Sequence, residues 1–225
     1  MSKFNISKGA LNEKIFFAIV ISAFSVSAYA GYGLGIKTGV GGNTPQTMYD
    51  GNNVYGGSVS TRDYFVGAEA FYEHNLRLDF LGNDREYEEH KIGLKFGFEQ
   101  YGKNTYKVLD EKVTENTFML PITAYYKYDQ GVGKLAFTIG CGLTMIQSDF
   151  KVSENNKLDK WKGVFHIVAG TEYRISEHIG LGFDIKYITK SGVLDKIYNV
   201  NGHSYKLYFS DRSGFNGALA ARYYF

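Results

Sequence analysis

The strongest constraint on this chain is a series of runs of about ten residues in which every second side chain is apolar, a period typical of β-strands. In the first run, residues 32–40, Leu34, Ile36 and Val40 alternate with glycines and Lys37. The pattern recurs over 64–73, 120–128, 135–145, 165–173, 179–187 and 215–225. Each run therefore presents one apolar face and one face of small or polar residues.

Three features favour a membrane barrel over a soluble sandwich. The runs exceed the length of about five or six residues usual in soluble sheets and match a tilted strand crossing a bilayer. The links between runs alternate between short and long. Many apolar rows also end in tyrosine, whose ring suits the headgroup layer: Tyr32, Tyr64, Tyr72, Tyr128, Tyr173, Tyr187 and Tyr223. The sequence predicts an all-β, up-and-down antiparallel transmembrane β-barrel.

The links assign the two rims of this barrel. Short links are predicted at 74–75, 129–133 and 175–178, and long ones at 41–63, 82–116, 147–162 and 190–213. Tight periplasmic turns and long external loops produce this alternation in outer-membrane barrels. We therefore expect residues 31–225 to form one barrel domain with four external loops.

The number of strands depends on residues 74–117. Two candidate strands, 76–80 and 92–99, compete there; using one gives eight strands, whereas using both requires a further strand near 105–113 and gives ten. The last stretch has no clean apolar face, so eight is favoured. Pro121 cannot donate to a ladder and is expected to mark a bulge.

The N-terminal 30 residues have the features of a cleaved signal peptide. Three lysines precede the apolar run 15–21, and Ala28-x-Ala30 predicts cleavage after residue 30. The apolar stretch is shorter than the ~20 residues of a spanning helix. These 30 residues hold three of the 25 basic residues and one of the 23 acidic ones, so the rest of the chain has no net charge. Nothing in this charge indicates nucleic-acid binding.

Charged residues at the alternate positions must point into the barrel, because Lys or Arg facing lipid at mid-depth costs ~2–4 kcal/mol. Both signs occur, which predicts a lumenal network of ion pairs made by Lys37, Glu69, Lys127, Glu172, Arg174, Asp184, Lys186 and Arg222, joined by Lys95 and Glu99 if their strand forms. An eight-stranded barrel is only just wide enough for side chains, so we expect a plugged interior. Ten strands would favour a pore.

The last long loop interleaves aromatic and basic residues: Tyr198, His203, Tyr205, Lys206, Tyr208, Phe209 and Arg212. Such a mixture suits binding to lipopolysaccharide phosphates, glycans or a host surface. The alternative is that these residues belong to strand ends projecting above the bilayer, where aromatic cross-strand pairs stabilise a ribbon.

Catalytic and metal sites are not indicated. His203-Ser204 is an adjacent His/Ser pair, but no nucleophile motif has supporting spacing. Glu86, Glu88, Glu89 and His90 could surround a cation, but a solvated loop explains them more simply. Cys141 lies on an apolar face and is read as a small lipid-facing residue. We expect no cofactor, no metal and no enzyme activity, with an outer-membrane lipase or protease as the weakest alternative.

The chain resembles the small outer-membrane β-barrel superfamily of Gram-negative-type bacteria, which includes the OmpA transmembrane domain, OmpX and the opacity-like porins. The residues that carry the resemblance are the signal peptide, 32–36, Tyr125-Tyr126 before a turn, and the ending 220–225. In that family an alternating C-terminal strand ending in Phe is read by the barrel-assembly machinery, which implies this role for Tyr223 and Phe225. Unlike full-length OmpA, no peptidoglycan-anchoring domain is expected after residue 225.

The resemblance implies a monomeric protein of the outer membrane, in contact with its lipid and lipopolysaccharide. We expect it to contribute to envelope structure and to present loops for adhesion or surface binding. The alternative is a small porin-like channel for ions or small solutes.

Overall fold

A computed structural model describes residues 30–41, 47–50, 53–55, 63–76, 89–108, 111–153, 156–189, 194–200, 203–209 and 214–225. Eight strands in this part of the chain form a barrel: β1 (Ala30–Gly41), β4 (Asp63–Leu76), β5 (Glu89–Tyr101), β7 (Glu111–Asp129), β8 (Leu135–Ser153), β9 (Asn156–Arg174), β10 (Ile179–Ile188) and β13 (Gly214–Tyr224). Five shorter strands accompany them: β2 (Thr47–Asp50), β3 (Asn53–Tyr55), β6 (Asn104–Val108), β11 (Leu194–Val200) and β12 (His203–Phe209).

The barrel is closed and runs up and down. Each barrel strand pairs antiparallel with its neighbours in chain order, and β13 pairs with β1 to complete the ring. Closure satisfies the backbone hydrogen bonds without an open edge, as a sheet in lipid requires. The predicted eight-stranded, all-β architecture is confirmed. No helix in the described segments is long and apolar enough to cross a membrane.

The two rims differ in what they carry. The terminal rim, which holds residues 30 and 225, has the links 130–134 and 175–178 between its strands. At the opposite rim, here called the loop rim, β6 extends the β5–β7 ribbon, and β8 and β9 run on together to 153 and 156. A small sheet of order β11-β12-β2-β3 is also built from loop-rim connections.

Several predicted links differ from the structure. His74 and Asn75 are not a turn but lie in β4, paired with Ile92 and Lys91 of β5. The residues between β4 and β5, 77–88, lie outside the described residues, and the strand ends at 76 and 89 lie at the terminal rim. The end of β4 is polar because it lies beyond the apolar layer of the membrane. Its sequence therefore resembles a turn, although its residues are still paired with β5.

The predicted long loops are also largely strand. The range 82–116 contains β5, β6 and the start of β7, and 147–162 is spanned by β8 and β9 except for 154–155. The ranges 41–63 and 190–213 contain the strands of the small sheet. Beyond the membrane both faces of a ribbon are solvated, so pairing persists while the apolar alternation that revealed the other strands is lost.

Pro121 does not mark a bulge. The β5–β7 register is the same on both sides of it, with Phe96 opposite Ile122 and Glu99 opposite Met119. The proline ring instead packs inside the barrel, where a Cβ added to Gly97 would lie 2.8 Å from Pro121 Cγ. The sequence signal was correct about a lost donor but wrong about an inserted residue. The predicted signal peptide, residues 1–30, falls outside the described residues apart from the backbone of Ala30 and stays a prediction.

The alternation seen in the sequence separates the outside of the barrel from its inside. The outward rows are exposed and apolar, as at Ile36, Ile139 and Leu219, which are 69, 64 and 63% exposed. Inward positions on the same strands are buried, and many are charged. The C-terminal residues follow this rule, with Tyr223 and Phe225 exposed and Tyr224 buried.

Candidate functional site

The centre of the lumen is organised around Arg222 of β13. Its guanidinium donates Nε to Glu69 Oε1 at 2.7 Å, Nη1 to Glu172 Oε2 at 3.0 Å, and Nη2 to Asp184 Oδ2. These carboxylates come from β4, β9 and β10, so one side chain ties four strands together. The fork of donors on arginine suits this arrangement better than the single ammonium of lysine. Lys95 Nζ lies 3.8 Å from Glu69 and 3.6 Å from Asp184.

A second group of ion pairs surrounds Glu99 of β5. Lys186 Nζ lies 2.6 and 2.7 Å from the two carboxylate oxygens, and Lys37 Nζ lies 2.8 Å from Oε1. The hydroxyl of Tyr101 donates to Oε2 at 3.2 Å. Glu99 is 1% exposed, so its charge is balanced by these neighbours rather than by bulk water.

Towards the terminal rim, Lys127 of β7 replaces Arg222 as the central cation. Its Nζ lies 3.2 Å from Glu73 and 3.3 Å from Glu172, and it donates to the Tyr224 hydroxyl at 2.7 Å. Tyr224 donates in turn to Glu172 at 2.6 Å, and Tyr125 donates to Glu73 at 3.0 Å. Buried tyrosines therefore extend the ion pairs into a continuous hydrogen-bonded network.

The terminal rim itself is closed by a smaller cluster. Asp129 accepts from Lys91 at 3.2 Å and from Arg174 at 3.3 Å. The Arg174 guanidinium lies 3.9 Å from the centroid of the Tyr224 ring, within range of a cation–π contact. These contacts cover the ion pairs of Arg222, Glu99 and Lys127 at the terminal-rim end of the lumen.

Between the ion pairs and the loop rim lies an apolar layer, which buried Glu115, Thr117 and Ser148 follow on the loop-rim side. A cluster of buried residues contains Phe65, Tyr101, Met119, Ile146, Val164, Ile188 and Ala218. The rings of Phe65 and Tyr101 pack with centroids 5.1 Å apart. His166, two residues from Val164 on β9 towards the terminal rim, is fully buried. Its Nε2 lies 2.9 Å from the Thr123 hydroxyl and its Nδ1 lies 2.9 Å from the Thr144 hydroxyl.

Among the ion pairs lies a cavity of about 30 Å³, lined by residues that include Lys37, Glu69, Glu99, Asp184 and Lys186. A space of this size suits about one water molecule. The inner network contains equal numbers of carboxylates and cations, Glu69, Glu73, Glu99, Glu172 and Asp184 against Lys37, Lys95, Lys127, Lys186 and Arg222, so its charges cancel.

All eight residues expected in the lumenal network point inward, as do Lys95 and Glu99. The sequence reading omitted Glu73, Asp129, Lys91 and the two buried tyrosines from that network. Strict alternation could have found them, because Glu73, Tyr125, Asp129 and Tyr224 each stand two positions from an inward residue on the same strand. The apolar cluster gave no such signal, since its members look like ordinary hydrophobic residues.

The proposed binding residues of the last loop are only partly described. Tyr198 lies in β11, and His203, Tyr205, Lys206, Tyr208 and Phe209 lie in β12, where the structure describes the backbone pairing but not the side chains. Arg212, Glu86 and Glu88 lie outside the described residues. Within the described part of the chain, no group of three or more His, Cys, Asp or Glu side chains could hold a metal ion.

A closed barrel with an apolar outside and a charged, paired inside defines a transmembrane β-barrel, because lipid and lumen impose opposite polarity on alternate residues. The sequence matches the family model of the outer membrane protein beta-barrel domain over residues 16–210. The chain therefore belongs to this family, and it is a protein of the outer membrane.

The chain is also similar to several solved structures. The outer membrane protein OprG from Pseudomonas aeruginosa is similar with a TM-score of 0.51 and 12% identity, covering 88% of this chain and 96% of that one. The attachment invasion locus protein Ail of Yersinia pestis gives 0.48 and 11%, covering 88% and 100%. Neisserial surface protein A gives 0.47 and 12%, covering 87% and 99%. A search of the curated proteins found no match.

Proposed function

We propose that this protein is a non-enzymatic, non-conducting barrel that contributes to envelope structure and holds loop-rim segments outside the membrane for adhesion or surface binding. The observation that carries the proposal is the filled lumen: ion pairs occupy its middle, and an apolar cluster lies between them and the loop rim. A permeant ion would have to displace Arg222 or Lys186 from carboxylates in a low-dielectric interior, where separating opposite charges is costly.

The contacts of the described histidines support the absence of catalysis. His166 is bonded to two threonines, His178 Nδ1 lies 2.9 Å from the Tyr224 carbonyl, and His90 Nδ1 lies 2.5 Å from the Tyr126 hydroxyl. A nucleophilic mechanism needs a base held between a nucleophile and an orienting acid. Among the described contacts of His90, His166 and His178, none holds the imidazole between such a pair of groups.

Reconstitution into planar bilayers tests the closed lumen. We expect the purified protein to insert without discrete conductance steps, because buried ion pairs and the apolar cluster obstruct the lumen. A variant with Met119→Ala, Lys186→Ala and Ile188→Ala removes side chains from both the apolar cluster and the ion pairs, and it should conduct.

The matched control for that experiment is Ile36→Ala, Leu181→Ala and Leu219→Ala, which shortens three lipid-facing side chains and leaves the lumen intact. This variant should stay silent. Discrete steps from the unmodified protein would overturn the proposal and support the porin-like channel.

The proposed binding surface follows from the orientation of the barrel. Short turns face the periplasm in outer-membrane barrels and longer connections face outward, so the loop rim with its small sheet would lie at the cell surface. The aromatic and basic residues of β12 and its flank then meet lipopolysaccharide or host glycans. We infer that Lys206 and Arg212 bind their anionic groups.

A binding measurement on lipopolysaccharide micelles tests this surface. Lys206→Ala with Arg212→Ala should weaken binding several-fold, and added salt should reduce the difference because exposed charges are screened. The control is Lys134→Ala, which removes a lysine from an exposed link at the opposite, terminal rim. Equal binding by the double variant and the parent would contradict the assignment.

The other expected partners are the membrane lipid and the barrel-assembly machinery. The protein lies in the lipid of the outer membrane, and we propose that it does so as a monomer. Recognition of Tyr223 and Phe225 by the barrel-assembly machinery stays a prediction; the two rings face outward and pack edge to face with centroids 5.2 Å apart.

A further inference from the structure

The cavity of about 30 Å³ at the centre of the lumen is in contact with both main groups of ion pairs. Its lining includes Glu69 and Asp184, which bind Arg222. It also includes Glu99 and its partner Lys186. A ligand in this cavity would therefore touch the ion pairs of Arg222 and those of Glu99 at once.

One carboxylate oxygen of the lining has unused hydrogen-bonding capacity. The side chain of Glu69 is 0% exposed, and its Oε2 accepts no hydrogen bond from any described group of the chain, whereas Oε1 accepts from Arg222. Lys37 Nζ lies 3.8 Å from Oε2, beyond the range of about 2.7–3.2 Å for a hydrogen bond. A buried oxygen without a donor is costly, because it has lost water and gained no replacement.

Lys95 of β5 leaves similar gaps beside the same cavity. Its Nζ lies 3.8 Å from Glu69 Oε1 and 3.6 Å from Asp184 Oδ2, again longer than direct hydrogen bonds. With the Lys37–Glu69 separation, three gaps of 3.6–3.8 Å between opposite charges border a space that suits one water molecule. At such separations a bridging water can hydrogen-bond to both charged groups.

The charge of the lining favours a neutral ligand. Three carboxylates and three ammonium groups line the cavity: Glu69, Glu99 and Asp184 against Lys37, Lys95 and Lys186. A chloride or sodium ion would add an uncompensated charge to the low-dielectric interior, whereas a water molecule leaves the balance unchanged. Water can also donate to a carboxylate and accept from an ammonium group at the same time, which neither ion can do.

We propose that this cavity is a binding site for a single water molecule, which donates to Glu69 Oε2 and accepts from the ammonium groups of Lys37 and Lys95. The water completes the hydrogen bonding of Glu69 and joins the ion pairs of Arg222 to those of Glu99 in one network. This inference goes beyond the proposed function, because it concerns what occupies the centre of the lumen and not what the loop rim binds.

A crystal structure of the barrel at a resolution that shows ordered water tests the site. We expect one density peak in the cavity, at about 2.7–3.2 Å from Glu69 Oε2 and from the Nζ of Lys37 or Lys95. Crystals grown with bromide and rubidium in place of chloride and sodium should give no anomalous signal there. An anomalous signal would assign an ion and overturn the proposal, as would a direct contact between Lys95 and Glu69 with no peak.

Filling the cavity provides the matched comparison. Ala218→Val adds two methyl groups at a buried position of the lining and should remove the peak. Ala220→Val adds the same groups at the next buried position of β13, outside the lining, and should keep it. A peak that persists unchanged in Ala218→Val would contradict the site. If this variant does not fold, the density map of the unmodified protein decides the question alone.

The tests of the water site and of the closed lumen can fail separately. Conductance steps from a barrel whose cavity holds the single peak would overturn the closed lumen and leave the water site standing. A silent barrel without the peak would overturn only the water site. A file of linked water peaks that runs through the lumen to both rims would overturn both.

Discussion

Replacing Arg222 by leucine is expected to destabilise the barrel more than any other single change in the lumen. The guanidinium binds Glu69, Glu172 and Asp184, and leucine would leave all three carboxylates buried with fewer partners. Removing one member of a buried ion pair costs about 3–5 kcal/mol because the partner charge stays uncompensated. Urea unfolding in detergent, followed by Trp161 fluorescence and by the heat-dependent gel mobility of the folded barrel, measures the loss.

The control for this variant keeps leucine at position 222 and restores the charge balance by removing carboxylates. Adding Asp184→Asn and Glu69→Gln to Arg222→Leu removes two of the buried negative charges that Arg222 balances, so part of the stability should return. Arg222→Lys should fall between the parent and Arg222→Leu, because an ammonium keeps the charge but cannot reproduce the three-way contact. An Arg222→Leu barrel with unchanged urea resistance would show that the ion pairs fill the lumen without stabilising it.

Replacing Gly142 by alanine is the second change with a large expected effect, for a steric reason. A Cβ at this position would lie 1.9 Å from the Ile122 carbonyl oxygen and 2.9 Å from Thr123 Cα. These are backbone atoms of the neighbouring strand, so relief requires β7 and β8 to separate. Overpacking typically costs about 1–3 kcal/mol, and the rigid contact here favours the upper part of that range or more.

Gly163→Ala is the comparison for Gly142→Ala, since Gly163 lies on the adjacent strand and its added Cβ would lie 3.6 Å from Met145 Sδ, an ordinary contact. This variant should be as stable as the parent or slightly more stable, because alanine restricts the unfolded chain. The same urea titration measures both. Equal stability of the two alanine variants would mean that the barrel wall adjusts without opening.

The fold could be read from the sequence to the extent that the membrane imposed a pattern. The outward row through Leu34 and Ile36 and the inward charges at Lys37 and Glu69 follow from alternation alone. Strand ends could not be read in this way. The ribbon of β8 and β9 beyond the membrane is solvated on both faces, and His74 and Asn75 are polar although they are paired, so the apolar signal ended before the strands did.

The candidate site, too, could be predicted only in part. Alternation was sufficient to point charged residues inward, but it gave no information about which strands face one another across the lumen. Arg222 and Glu69 are 153 residues apart, and Lys186 and Glu99 are 87 apart.

By itself, the sequence determined which face of each strand meets lipid, because side-chain direction in a strand repeats every two residues whatever the strand pairs with. It also limited the lumen to a mixture of charges that can cancel. Only the tertiary structure decided how they cancel and where the apolar cluster lies. These properties depend on strand register and tilt around a closed ring, which bring distant residues to the same depth.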